Sequence, residues 1–209
     1  MVDIPLRIKK SHIFDLFEAY ENSLRGDANF RNFFEWYRNQ EDIENENLRE
    51  SYNLFNSGNP NAFHPDRTLE TVRNSIRKFM PAFDEIRVKR TPLQMRIRKN
   101  GVSLNVSQLS DGEKIYMALV GDLCRRLTLA NPTLDDPLQG EGIVLIDELD
   151  LHLHPQWQTE IATKLCETFP NIQFIVTTHS PLVITNVQSS QLRILSSTDG
   201  HVEVLRSAG

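Results

Sequence analysis

Gly142 to Ile146 is an unbroken apolar run that ends in two adjacent acids, Asp147 and Glu148. It is short for a helix, and an unalternated run of this kind suits a parallel strand buried on both faces. Pro155 to Phe169 then reads as a helix with proline in its first turn. Ile172 to Val176 is a second apolar run of the same kind. Strand, helix, strand in this order predicts an α/β chain with a mostly parallel sheet. Open sheets of that class bind ligands beyond the carboxyl ends of their strands, which is where Asp147, Glu148 and the residues after Val176 would lie.

The remainder of the chain is organised differently. Residues 11 to about 80 read as helix. His12 to Leu24 and the cluster Phe30, Phe33, Phe34, Trp36 and Tyr37 carry apolar residues at helical spacing, and a further helix is expected from Asp66 to Met80. The acidic stretch Glu41 to Glu50 reads as a solvated helix face, and Ser57 to Asn61 as a loop. From Glu85 the period changes to two: Ile86, Val88, Met95 and Ile97 alternate with basic residues, and Asn100-Gly101 is a tight hairpin turn. Gly112 to Leu129 is a helix, and Gln191 to Ser196 with His201 to Leu205 a closing hairpin. The expected division is 1–106, a helical lobe plus basic hairpin, and 107–209, the α/β portion.

Composition excludes several classes. The 209-residue chain carries a net charge of −5, which argues against a surface coated for nucleic acid. The basic residues between Arg87 and Lys99 are the only candidate contact of that kind. They read first as the solvent face of a hairpin, because no aromatics are interleaved with them. Cys124 and Cys166 are the only cysteines, so there is no disulfide framework and a reducing compartment is expected. No apolar stretch approaches a membrane span. The expected location is the cytoplasm.

Four short elements carry chemistry. In Leu109-Ser110-Asp111-Gly112-Glu113, a serine and a glycine at a helix start can offer N–H groups and the positive dipole end to an anion; Ser110 with Glu113 is also an ordinary capping box. Asp147 could hold Mg²⁺ and Glu148 could orient and deprotonate a water, or both could simply open a polar loop. His152 and His154 invite a metal reading, but their spacing before Pro155 suits an extended loop. His179, just past the second apolar run, would lie on the same sheet edge as the two acids and could donate to a phosphate oxygen.

Taken together, these elements resemble the second half of an ABC-type ATPase head, in particular the stand-alone heads of the overcoming-lysogenization and structural-maintenance-of-chromosomes kind. The resemblance makes Leu109 to Glu113 the signature motif, Ile143 to Glu148 the Walker B strand, Leu149 to His154 the D-loop and His179 the switch histidine. The run from Asp147 to Pro155, with its His-Leu-His-Pro ending, marks this branch. Asp3 to Ile8 and Asn32 to Arg38 further resemble bacterial ATP-binding proteins once labelled virulence-associated, and the ATPase subunits of Septu and retron anti-phage systems.

The resemblance implies ATP and Mg²⁺ as cofactors and a head-to-head dimer. It makes Glu148 the general base, Asp147 the Mg²⁺-side carboxylate (through water), His179 the γ-phosphate sensor and Asp150 the coupling residue. Ser110, Asp111, Gly112 and Glu113 would meet the nucleotide held by the other protomer. One departure is large: no Gly-x-x-x-x-Gly-Lys-Ser/Thr phosphate loop occurs in the sequence. The chain is therefore expected to be a truncated head that does not hydrolyse ATP alone. Its expected partner is a second copy or an intact head, with an effector nuclease as a further candidate. The competing expectation is a non-catalytic regulatory module or gene relic.

Overall fold

The computed structural model describes residues 30–56, 67–198 and 201–206. The expected helix His12 to Leu24 and the Ser57 to Asn61 loop lie outside them. The elements in order are α1 (Phe30–Asn56), α2 (Arg67–Phe79), β1 (Phe83–Arg90), β2 (Leu93–Lys99), β3 (Val102–Asn105), α3 (Asp111–Ala130), β4 (Gly142–Ile146), α4 (Pro155–Thr168), β5 (Ile172–Val176), α5 (Pro181–Ile184), β6 (Arg193–Thr198) and β7 (His201–Arg206). Among these, β1-β2-β3 form an antiparallel sheet, β4-β5 a parallel pair and β6-β7 an antiparallel hairpin. No described helix is long and apolar enough to cross a membrane.

The hairpin turn forms as its sequence dictates. Asn100 (φ 49°) and Gly101 (φ 79°) both adopt the left-handed conformation that a two-residue turn between twisted strands requires. One buried cluster joins Phe33, Trp36 and Tyr37 of α1, Val72 and Ile76 of α2, Met95 and Ile97 of β2, Tyr116 and Val120 of α3, and Ile161 of α4.

The acidic stretch of α1 is solvent-exposed at Asp42, Ile43 and residues 45–50, as expected, but Glu41 and Glu44 depart from that expectation and are buried. Among the described residues strand β1 is an edge of its sheet, so its outward polar groups need partners. Tyr37 donates to the Ile86 carbonyl at 2.8 Å, and the Glu41 carboxylate accepts the Val88 N–H at 3.0 Å. Arg73 of α2 binds Glu44 through two N–H groups, both at 2.9 Å, and donates to the Tyr37 hydroxyl at 3.0 Å. Arg90 closes on Glu41 and Asp42. Side chains of α1 thus serve the edge in place of another strand, and burial with charge pairing replaces solvation.

The apolar runs form the strands expected but are not buried on both faces. Val144, Ile146, Ile172 and Phe174 pack on the core, whereas Ile143 (63%), Leu145 (76%) and Ile175 (51%) are exposed on the opposite face. Helices cover the β4-β5 pair on one side only among the described residues.

Candidate functional site

Strands β4 and β5 run parallel with Ile146 opposite Val176, so both chains leave the sheet at the same edge. Their hydrogen bonding continues past the strands: Thr177 N–H donates to Ile146 O and Leu149 N–H to Thr177 O, each at 3.0 Å. This extension holds Asp147 and Glu148 against the segment that carries His179. The Thr177 hydroxyl accepts the Glu148 N–H at 2.8 Å and donates to the Asp147 carboxylate. Glu148 has φ 50°, a left-handed conformation that costs a non-glycine residue energy and persists where its surroundings enforce it. Asp147, Glu148 and His179 are all solvent-exposed.

A second latch lies beside the first. The Asp150 carboxylate accepts the Thr178 hydroxyl and, at 3.2 Å, the His179 N–H. Partial burial pushes the Asp150 carboxyl upward, but these bonds and the nearby His179 outweigh it and leave its pKa below the usual value. Gln158 of α4 donates to the carbonyls of Asp150 (3.2 Å) and Leu153 (3.0 Å), and its side-chain oxygen accepts the Ser180 hydroxyl at 2.7 Å. One glutamine thereby ties both loops together. Sequence reasoning missed Thr177 and Gln158. The hydroxyl pair directly after the second apolar run was the available signal for the threonine; nothing marked the glutamine.

The start of α3 reaches the same loop from the other side. Ser110 and Glu113 form the capping box: Glu113 N–H donates to the serine hydroxyl at 3.3 Å, and Ser110 N–H to the carboxylate at 2.9 Å. Lys99 of β2 pairs with the same carboxylate. Burial alone would raise the Glu113 pKa, but Lys99 and Ser110 together hold it below the usual value. Asp111 is exposed and bonded to Lys114 at 3.1 Å, which holds its carboxyl low. Gly112 abuts the backbone of His152: a Cβ there would sit 2.4 Å from the His152 carbonyl oxygen. A cavity of about 600 Å³ opens beside this contact, lined by Ser110, Gly112, Lys99, His152, His154 and Trp157 among others.

The two loop histidines have separate local roles. His152 takes φ 62° in the turn, and His154 caps α4 by accepting the Gln156 N–H on Nδ1 at 3.3 Å. Among the described residues no group of three or more His, Cys, Asp or Glu side chains could enclose a metal. For a hard cation that keeps most of its own water, Asp147 with its Thr177 hydroxyl neighbour is a suitable oxygen donor set. A triphosphate finds no lysine-bearing glycine loop in this sequence.

The model of the family described as "AAA domain, putative AbiEii toxin, Type IV TA system" matches residues 4–185. The chain is 40% identical over 228 residues to the retron Vc95 probable ATPase of Vibrio cholerae serotype O1 biovar El Tor, a match covering 94% of this chain and 44% of that protein. It is 38% identical over 239 residues to the retron Ec83 probable ATPase of Escherichia coli, covering 91% and 43%. Against the Septu protein PtuA of Bacillus mycoides (strain KBAB4) it is 33% identical over 151 residues, covering 65% and 21%. It therefore spans less than half the length of these curated relatives. The SMC head domain from Thermotoga maritima shares the fold, with a TM-score of 0.50 at 21% identity over 68% of this chain and 48% of that one.

Proposed function

The chain belongs to the family described as "AAA domain, putative AbiEii toxin, Type IV TA system", and on that premise we propose that it supplies the signature and Walker B portion of an ATPase of the retron and Septu anti-phage kind. The observation that carries this reading is the pair of latches on one sheet edge. Thr177 joins Asp147 to the Glu148 backbone, and Asp150 holds the segment bearing His179.

In this reading Glu148, held with a left-handed backbone, takes a proton from the attacking water. Asp147 would hold Mg²⁺, directly or through water; the ion, when bound, neutralises charge on the phosphates. His179 would donate to the γ-phosphate, and Asp150 fixes where it stands. Ser110 and Gly112 would face a nucleotide held by another head, with the dipole of α3 favouring negative charge there. In this division 1–106 would be a helical lobe plus basic hairpin, and 107–209 the ATPase-core portion with the signature, the Walker B strand, the D-loop and the switch histidine.

The open face of β4-β5 bears on partners. Ile143, Leu145 and Ile175 leave apolar surface in water next to the catalytic acids, and the sequence holds no phosphate loop. A polypeptide that carries such a loop, or an intact head, would cover that face and complete the nucleotide site. This requirement also favours the second reading, a module that regulates an intact head or an effector nuclease by docking.

The test is reconstitution. The chain alone should show no ATP hydrolysis; combined with a phosphate-loop-bearing head it should contribute to turnover. There Glu148→Gln should abolish hydrolysis while prolonging the ATP-bound assembly. Undiminished turnover of that variant would refute the role given to Glu148, and turnover by the chain alone would refute the need for a complementing head.

A further inference from the structure

The basic residues between Arg87 and Lys99 do not form one strip in three dimensions. Arg90 and Lys99 turn inward and have their own acids: Arg90 has Glu41 and Asp42, and Lys99 has Glu113. Arg87, Lys89, Arg96 and Arg98 project from the opposite face of the β1-β2-β3 sheet. The register sets Arg87 directly across from Arg96, Glu85 across from Arg98, and Lys89 across from Gln94. Ser103 and Asn105 continue the face on β3.

Three features distinguish this face from an ordinary solvated one. Among the described residues it holds four cations and a single acid, Glu85, which is already shared between Arg87 and Arg98, although the chain as a whole has net charge −5. A solvated surface normally intersperses both signs. Two arginines stand directly opposite each other, an arrangement that destabilises an antiparallel pair. Arg96 gives one N–H to the Ser103 carbonyl at 3.2 Å, while its Nε is buried without a partner.

We propose that this sheet face docks the phosphodiester backbone of a nucleic acid, independently of the ATPase reading. Alternate residues along a strand lie about 6.8 Å apart and adjacent strands about 4.8 Å apart, so the four cations rise from regularly spaced positions of the kind a row of phosphates can meet. Among the described residues the face carries no aromatic or apolar side chain, so bases are not stacked or read and binding is independent of sequence. The like-charge cost is relieved when phosphates come between Arg87 and Arg96.

Fluorescence anisotropy of the full chain with labelled oligothymidylate and with a labelled duplex tests this. With four phosphate contacts, the single strand should bind with a slope of log K against log salt near −3, a loss of about 50-fold between 50 and 200 mM. A stronger signal from one probe identifies single strand or duplex as the form preferred. Arg87→Gln/Arg96→Gln/Arg98→Gln should weaken binding more than 10-fold and flatten the slope to about −1, without lowering the melting temperature. The single variant Lys89→Gln should reduce the slope by roughly one unit or less. Lys78→Gln, which removes one charge from the α2–α4 surface, should change neither.

Failure of both probes to bind at 50 mM salt would overturn the proposal. So would equal losses in Lys78→Gln, or displacement by polyglutamate as effective as by unlabelled oligonucleotide. The last result would point instead to an acidic protein partner.

Discussion

Replacing Gly112 with alanine tests the contact that joins the start of α3 to the acidic loop. By helix propensity alone the change should stabilise, because glycine in a helix interior costs up to about 1 kcal/mol relative to alanine. The structure reverses the sign. The added methyl would lie 2.4 Å from the His152 carbonyl oxygen and 3.6 Å from its carbonyl carbon, so backbone rather than a flexible side-chain end must move. The loop cannot easily yield. Leu151 and Leu153 N–H groups close turns on Glu148 and Asp150 at 2.9 and 3.1 Å, and Gln158 fixes two of the carbonyls. Overpacking costs about 1–3 kcal/mol, and a 2.4 Å approach to backbone belongs in the upper part of that range, about 2–3 kcal/mol, which leaves a net loss of about 1–2 kcal/mol after the propensity gain. At about 2–4 °C per kcal/mol for a chain of this size, the melting temperature should fall by about 2–8 °C. Urea unfolding of Gly112→Ala against Gly142→Ala provides the comparison, since a methyl at Gly142 meets only the Ile172 terminal methyl at 3.2 Å. A Gly112→Ala protein as stable as the parent would mean that the His152 carbonyl does not lie against α3.

Three further outcomes are expected. The Glu113 pKa is lower in the folded chain than in the unfolded one, so its stabilisation is complete above the unfolded value (about 4.3) and disappears as pH falls through the native value. Urea midpoints between about pH 3 and 6 should therefore fall less steeply in Glu113→Gln than in the parent. Cys166 is exposed, whereas Cys124 is buried and its thiol is pushed up to about 12, chiefly by desolvation. A thiol reagent at neutral pH should thus titrate one cysteine in the folded chain and the second only in denaturant. Arg73→Met leaves the buried Glu44 carboxylate without its bidentate partner and should cost about 3 kcal/mol; the Glu44→Gln background should recover much of this in a double-mutant cycle.

The parts of the fold that could be read in advance are those specified locally. Asn100-Gly101 encodes its turn because few other pairs accept positive φ twice. Ser110 and Glu113 encode a helix start because each side chain reaches the other's backbone N–H. The β4-α4-β5 order follows from two short apolar runs around an amphipathic segment with Pro155 in its first turn. By the same local logic Glu41 and Glu44 looked solvated, since their partners Arg73 and Arg90 are remote in sequence. The apolar runs looked buried on both sides because composition records which residues avoid water, not what is available to cover them. Gln158 gave no sign of its role because its three partners come from two different loops.

The sequence alone determined which residues could do chemistry: two acids at a strand end, a histidine after the next strand, a capped helix start, and no phosphate loop. Backbone propensity and side-chain type act over a few residues and are written in the order of the chain. The tertiary structure decided how those residues are held and on which face of the sheet each charge stands. Thr177 and Asp150 lock the sheet-edge segments together, Gly112 admits the His152 backbone, and the sheet register turns Arg90 and Lys99 toward Glu41 and Glu113 while setting Arg87, Lys89, Arg96 and Arg98 on the opposite face. Hydrogen bonds, burial and ion pairing depend on distances between segments far apart in sequence, and those distances exist only once the chain has packed.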